Sequence, residues 1–150
     1  MGDSISFLNR AILSIIKHLG RVIRKSHVYC SESWGYKSPK VFYNQCLMVE
    51  TELSPYEILE KIIAIEKEMG RVRTGAGYSD REIDIDILFF GKEIVTSKNL
   101  SIPHPRMHLR KFVLVPMNEI AGDHIHPVFK KSISELLAEC GDESMVTLEI

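Results

Sequence analysis

Two carboxylates, Asp84 and Asp86, stand two residues apart inside the apolar, β-branched run Arg81-Glu82-Ile83-Asp84-Ile85-Asp86-Ile87-Leu88-Phe89-Phe90. That composition predicts a strand. Side chains alternate between the faces of a strand, so Ile83, Ile85, Ile87 and Phe89 are expected on one side and Asp84, Asp86, Leu88 and Phe90 on the other. Two residues of extended chain separate the aspartate Cα atoms by about 6.5–7 Å, close enough for both to hold one hard cation or a close pair. Two negative charges beside apolar neighbours are costly unless a cation or guanidinium compensates them. Magnesium suits such a site, because it takes few carboxylates and prefers substrate phosphates to an all-protein cage. Read alone, the strand is equally a pair of solvent-facing aspartates on an exposed sheet face.

The flanking residues add chemistry. Arg71, Arg73 and Arg81 surround the segment Thr74-Gly75-Ala76-Gly77-Tyr78-Ser79. Guanidinium forks match phosphate oxygens, and glycines let a loop close over a ligand; by itself the segment reads as a solvated surface loop. Cations for phosphate next to carboxylates for magnesium outline a nucleoside triphosphate site. Downstream, His104 is fixed between Pro103 and Pro105, with Arg106 and Arg110 close behind, which suggests phosphate binding where a lone histidine would more often be structural. Upstream, the only tryptophan, Trp34, falls in a polar loop over 33–40, followed by Phe42, Tyr43 and Asn44. Planar and hydrogen-bonding groups gathered this way suit ligand stacking.

The elements that must position these residues follow from periodicity and punctuation. Apolar residues from Ser4 to Leu19 recur at helical spacing, with Asp3 or Ser4 as N-cap and Gly20 as the stop. The stretch from Val22 to Ser31 is β-prone, and Val41 to Leu53 reads as a strand. Ser54-Pro55-Tyr56-Glu57 is a capping box that starts a helix running to about Met69 and burying Ile58, Leu59, Ile62, Ile63 and Ile65. Gly91-Lys92 predicts a turn, and Glu93 to Val95 a short return strand. Val113 to Ile120 predicts a short buried helix or turn with Pro116 near its start. Ser132 to Cys140 is a helix opened by the box Ser132-x-x-Glu135, and the residues from Val146 to Ile150 are an edge strand or frayed.

A chain of 150 residues with 45% hydrophobic and 26% charged residues is expected to form a single domain spanning 1–150 with a real core. The net charge of −1 gives no overall electrostatic case for nucleic acid or an anionic membrane. Cys30, Cys46 and Cys140 are odd in number and lack metal-ligand spacing, as expected of reduced thiols in a cytosolic protein. No apolar stretch approaches a membrane span, and acidic Asp3 stands where a signal peptide would be basic. The expectation is a cytoplasmic, soluble protein; its oligomeric state is left open.

Taken in order, these residues resemble the 6-hydroxymethyl-7,8-dihydropterin pyrophosphokinase family of folate biosynthesis, also called 2-amino-4-hydroxy-6-hydroxymethyldihydropteridine diphosphokinases. The family pattern Arg-x-apolar-Asp-apolar-Asp-apolar-apolar is matched by Arg81 to Leu88, its Pro-His-Pro by Pro103-His104-Pro105 and its Arg-x-Phe by Arg110-Lys111-Phe112. Tyr29-x-Ser31-x-x-Trp34-Gly35, Phe42-x-Asn44 and Glu66-x-x-x-Gly70-Arg71-x-Arg73 precede them in the family's order. The resemblance implies an α+β fold of ferredoxin-like type, with helices packed on an antiparallel sheet. It implies Mg²⁺-dependent transfer of pyrophosphate from ATP to the hydroxymethyl group of 6-hydroxymethyl-7,8-dihydropterin, releasing AMP. Asp84 and Asp86 would bind magnesium. Arg71, Arg73, Arg81, His104 and Arg110 would hold the phosphates, with Glu66, Ile87 and Ser101 around the nucleotide. Ser31, Trp34, Phe42, Asn44 and Phe112 would form the pterin pocket.

This chain departs from the family pattern in three places. Ser31 and Ser33 stand where members often carry Thr and Pro, and Gly77 and Tyr78 where some carry Arg and Trp. Members also open with a strand and a Gly-Ser-Asn turn before Gly-Asp, here Gly2-Asp3, so the first strand is expected to be missing. A non-catalytic pterin- or nucleotide-binding module derived from the same fold is the alternative, and another two-metal phosphoryl-transfer enzyme a third reading that leaves Trp34, Phe42, Asn44 and Phe112 without a role.

Overall fold

Helix α1, Gly2–His18, sets the pattern for the first half of the computed structural model, which describes residues 2–34, 39–70 and 83–149, and only the backbone of 2, 3, 33, 34, 39 and 40. The helix begins before the expected cap, so Asp3 and Ser4 lie in its first turn; helix ends are the least sharply encoded positions. Its buried residues Ala11 and Ile15, with buried Leu19 just past its end, are spaced by four, the stripe a helix presents to a neighbour. That neighbour is helix α2, Pro55–Gly70, which answers with buried Ile58, Ile62, Ile65 and Met69. Ser54 and Glu57 close the anticipated capping box at its start: Glu57 N–H donates to Ser54 Oγ at 3.3 Å, and Ser54 N–H to Glu57 Oε1 at 3.0 Å. Ile63, expected inside, is 54% exposed; it lies on the far side of the stripe set by Ile58, Ile62, Ile65 and Met69, a face the i, i+4, i+7 spacing assigns to solvent.

The chain divides into two compact units, Met1–Val22 with Val49–Ile87 and Ile23–Met48 with Leu88–Ile150. α1 and α2 belong to the first. Between them run strands β1, Arg21–Lys25, β2, Tyr29–Trp34, β3, Pro39–Asn44, and β4, Leu47–Glu50. The long β-prone stretches are thus each broken once, at residues 26–28 and at 45–46. Buried Ser26 makes both breaks: its Oγ accepts from Cys46 N–H at 2.9 Å and its N–H donates to Cys46 O at 2.9 Å. Trp34 and Pro39 lie in paired strands instead of the expected loop, because Ser33↔Lys40 and Trp34↔Pro39 continue the β2–β3 ladder that starts at Tyr29↔Asn44.

In the second unit β3, β2 and β7 (Val146–Leu148) form an antiparallel sheet in that order, β7 pairing with β2 through Tyr29↔Leu148, Cys30↔Thr147 and Ser31↔Val146. β1 pairs with β4, and β5 (Val95–Thr96) with β6 (Ser101–Ile102). The Ile102–Pro103 peptide is cis. Helix α3, Lys111–Ala121, and helix α4, Ile133–Glu139, pack on each other. Leu114, Met117, Ile120, Ile133 and Leu136 meet Cys46 and Met107 in one buried cluster. α4 carries the anticipated capping box of Ser132 and Glu135. α3 starts earlier than expected, at Lys111, which leaves Pro116 in the helix interior. A side chain distant in sequence sets that start: Asp142 Oδ2 accepts from Lys111 N–H at 3.0 Å. Burial pushes the Cys46 thiol up to about 12, so at neutral pH it is a packing residue, as the cysteine spacing suggested.

A layer of imidazoles lies beside this core. Phe89 makes edge contacts with His124 and His126, at centroid separations of 4.4 and 5.5 Å, and Phe129 stacks on His126 at 4.3 Å. His126 is 2% exposed. Its Nδ1 accepts from the N–H groups of Val128 and Phe129 at 3.2 and 3.1 Å; a proton on Nδ1 would abolish both bonds. Burial lowers the pKa of His126, with the charges of His108 and His124 adding to the effect, and burial also lowers that of His124, with Lys92 adding. Both groups therefore take up protons more readily when unfolded. The stability they allow is fully present above the unfolded value of 6.5 and is lost as pH falls below it. Denaturant melts between pH 7 and 5 should show stability dropping with acidity. In His126→Asn, whose amide oxygen can still accept the turn N–H groups, the drop should be shallower; an unchanged slope would refute the assignment.

Candidate active site

The segment from Ile83 to Phe90 forms no strand, which corrects the expectation drawn from its composition. The β-branched residues favour extended backbone, but a ladder also needs neighbouring N–H and C=O groups. Here Ile85 N–H instead donates to the side chain of Glu66, at 2.8 Å from Oε2. The alternation survives through Ile87: Asp84 and Asp86 are exposed, whereas Ile83, Ile85 and Ile87 are half-buried. It then ends, and Leu88 and Phe89 pack on the core of the second unit. Both carboxylates thus face solvent on the same side of the chain, as the spacing requires.

Glu66, on the last turns of α2, therefore holds the backbone between the two aspartates. Burial raises its pKa against the bond from Ile85 N–H, and the negative charges of Asp84 and Asp86 raise it further. A divalent cation suits this concentrated negative field. Among the described residues no group of three or more His, Cys, Asp or Glu side chains is arranged to hold a metal. Two exposed carboxylates with no further protein ligand among the described residues fit magnesium, which keeps water and phosphate in its shell, better than zinc, which demands three or four protein donors. Ile87 is the last residue of the first unit and is half-buried. Arg71, Arg73, Arg81 and the intervening glycine segment lie outside the described residues.

The second unit gathers the other proposed groups. Ser101, in β6, and His104 line one pocket of about 160 Å³ with Thr96 and Phe129. His104 N–H donates to Leu88 O at 3.0 Å, and its Nδ1 accepts from Arg106 N–H at 3.2 Å. With Nδ1 so used, a neutral ring would carry its proton on Nε2. Arg110 immediately precedes α3, and its guanidinium lies 5.8 Å from the centre of the Phe112 ring. In the β2–β3 ladder Ser31 stands opposite Phe42, and Tyr29 opposite Asn44. Directly opposed residues share a face, so Tyr29, Ser31, Phe42 and Asn44 line one side of the sheet. Asn44 Nδ2 donates to Ser31 Oγ at 3.5 Å. Phe42 is 49% exposed, available for stacking. The Trp34 side chain lies outside the described residues.

Two groups that sequence reasoning passed over fix α3, one of them against this face. Glu119 accepts from Tyr29 Oη at 2.8 Å, from His27 N–H at 3.0 Å, and its second oxygen lies 2.7 Å from His27 Nδ1. Burial alone would raise the Glu119 carboxyl; the bonds from Tyr29 and His27 outweigh it and hold the carboxyl below its usual range. Asp142 caps α3 as described. In the sequence each looks like an ordinary surface acid, and their partners are 90 and 31 residues away. The Tyr29-x-Ser31 motif was the one available signal for Glu119's partner.

The family described as 7,8-dihydro-6-hydroxymethylpterin-pyrophosphokinase (HPPK) matches residues 1–122. The 2-amino-4-hydroxy-6-hydroxymethyldihydropteridine pyrophosphokinase of Aquifex aeolicus is 38% identical over 139 residues, 93% of this chain and 86% of its own. That of Haemophilus influenzae is 38% identical over 140 residues, 92% and 86% of the two chains. The Bacillus subtilis protein of the same name is 36% identical over 121 residues, 80% and 72%. The ordered motifs and the matched length agree: the chain belongs to the 7,8-dihydro-6-hydroxymethylpterin-pyrophosphokinase family.

Proposed function

We propose that this chain, as a single pyrophosphokinase domain with a ferredoxin-like arrangement of its sheet and helices, transfers pyrophosphate from ATP to 6-hydroxymethyl-7,8-dihydropterin in folate biosynthesis. The observation that carries the reading is family membership over residues 1–122, a span that contains every residue proposed for the site. Its setting is the cytoplasm; among the described residues no helix is long and apolar enough to cross a membrane. Its ligands are ATP and the pterin, not nucleic acid.

Asp84 and Asp86 would hold magnesium, which when bound neutralises charge on the phosphates. Glu66 keeps the two carboxylates in register through Ile85 N–H. His104 and Arg110, with Arg71, Arg73 and Arg81, bind the phosphates, and Ser101 and Ile87 border the nucleotide. Ser31 and Asn44 read the hydrogen-bonding edge of the pterin, while Phe42, Phe112 and Trp34 supply its walls. Flat aromatic walls orient the heterocycle so that its hydroxyl oxygen meets the β-phosphorus, where positioning matters more than covalent help. The new O–Pβ bond forms as the bond from Pβ to the oxygen shared with Pα breaks; AMP departs with that oxygen, and the hydroxyl proton passes to solvent. Chromatography of the nucleotide products tests this directly. AMP should appear in step with pterin consumption; ADP as the main product would mean attack at the γ-phosphorus and reject the assignment.

A further inference from the structure

We infer that Glu119 is a positioning residue for the pterin pocket, setting how α3 seats against the β2–β3 face so that Phe112 is presented to the same ligand as Ser31, Phe42 and Asn44. The inference rests on the proposed pterin reading and adds to it a residue that makes no ligand contact. Phe112 and Glu119 are seven residues apart in α3, about two turns, and therefore on one side of the helix. Glu119 reaches the hydroxyl of Tyr29, and Tyr29 shares its sheet face with Ser31, Phe42 and Asn44. The side of α3 that carries Phe112 is thus the side turned toward that face, and α3 touches both β2 and β3.

The fastening is unusually complete for so short a helix. Besides the three contacts of Glu119 to Tyr29 and His27, Arg24 Nη1 donates to Ile120 O at 3.0 Å. At the other end Asp142 accepts from Lys111 N–H. The core cluster of Leu114, Met117 and Ile120 already gives α3 its burial, so stability alone does not call for a carboxylate that bonds both Tyr29 at the start of β2 and His27 two residues before it. Apolar packing tolerates sliding, whereas hydrogen bonds to Tyr29 and His27 fix one position along the strand. Phe112, two turns away, inherits that position.

The test compares ligand affinities in the full chain by calorimetric titration, with 6-hydroxymethylpterin and a non-hydrolysable ATP analogue as probes. Glu119→Ala should weaken pterin binding about tenfold while leaving the nucleotide within about twofold. Tyr29→Phe, which keeps the ring and removes one bond, should weaken pterin binding about threefold. Glu119→Gln, which retains one oxygen acceptor, should fall between wild type and Glu119→Ala. In turnover the pterin KM should rise while the ATP KM holds. Unchanged pterin affinity in Glu119→Ala and Tyr29→Phe, or equal losses for both ligands, would overturn the positioning role and leave the functional reading standing. A wild-type chain that binds nucleotide but no pterin would overturn the functional reading instead, and this inference with it.

Discussion

Asp84→Asn and Asp86→Asn are each expected to abolish magnesium-dependent transfer while leaving the fold intact. The substitution keeps size and shape and removes one charge, and both side chains are exposed, so no packing is lost. What disappears is half of the carboxylate pair that would hold the cation against the phosphates, an effect on the order of several kcal/mol, or roughly a thousandfold in rate. Stability should hold or rise slightly, because Asp84, Asp86 and the carboxylate of Glu66 repel one another. A second readout needs no turnover: the Glu66 carboxyl, raised first by burial and further by both aspartates, should titrate lower in either variant. Near-normal activity in magnesium would show that the cation is held elsewhere.

The second large effect falls on folding. Gly20 sits between α1 and β1 with φ at +155°, and a Cβ placed there would lie 2.1 Å from the carbonyl oxygen of Glu50 and 3.2 Å from Cα of Thr51. Both are backbone atoms and cannot swing away as a side-chain tip would. The region is also tied down: Thr51 Oγ1 donates to Leu19 O at 2.6 Å, and Arg21 reaches Glu50 at 3.2 Å. Gly20→Ala must therefore push β4 away from the end of α1 or distort both, at about 3 kcal/mol or more. For a chain of this size that lowers Tm by about 10 °C. A thermal melt decides it, and a Tm within a degree or two of wild type would mean that the two segments separate freely.

What could be read from the sequence was whatever is encoded within a turn or two of itself. Ser54 with Glu57 and Ser132 with Glu135 marked two helix starts correctly because each box closes over three residues. The Asp84-x-Asp86 spacing put both carboxylates on one side whether or not a ladder formed, since alternation belongs to extended chain as such. The failures involve partners far along the chain. The run after Ile83 has every local mark of a strand, yet Ile85 gives its N–H to Glu66. The stretch from Val41 to Leu53 reads as one strand, yet Ser26 interrupts it. The onset of α3 was missed because its cap, Asp142, comes 31 residues later. The candidate site could be proposed from an ordered set of motifs; Glu119 on Tyr29 and His27 could not.

The division of the chain into two units bears on how variants can be shuffled. The backbone passes from one unit to the other three times, after residues 22, 48 and 87, and the first two passages fall inside β1 and β4. Neither unit is a contiguous stretch of sequence. A chimera joined to a relative at any single junction must therefore combine segments from both parents within at least one core. A junction after residue 48 splits both, facing a native α1 with a foreign α2 and a native β2–β3 pair with a foreign α3. Only three coordinated junctions, at those passages, would exchange a unit whole. Recombination libraries from this family should thus yield folded members mainly among parents whose core residues are already interchangeable, and block exchange will track that compatibility more closely than overall identity.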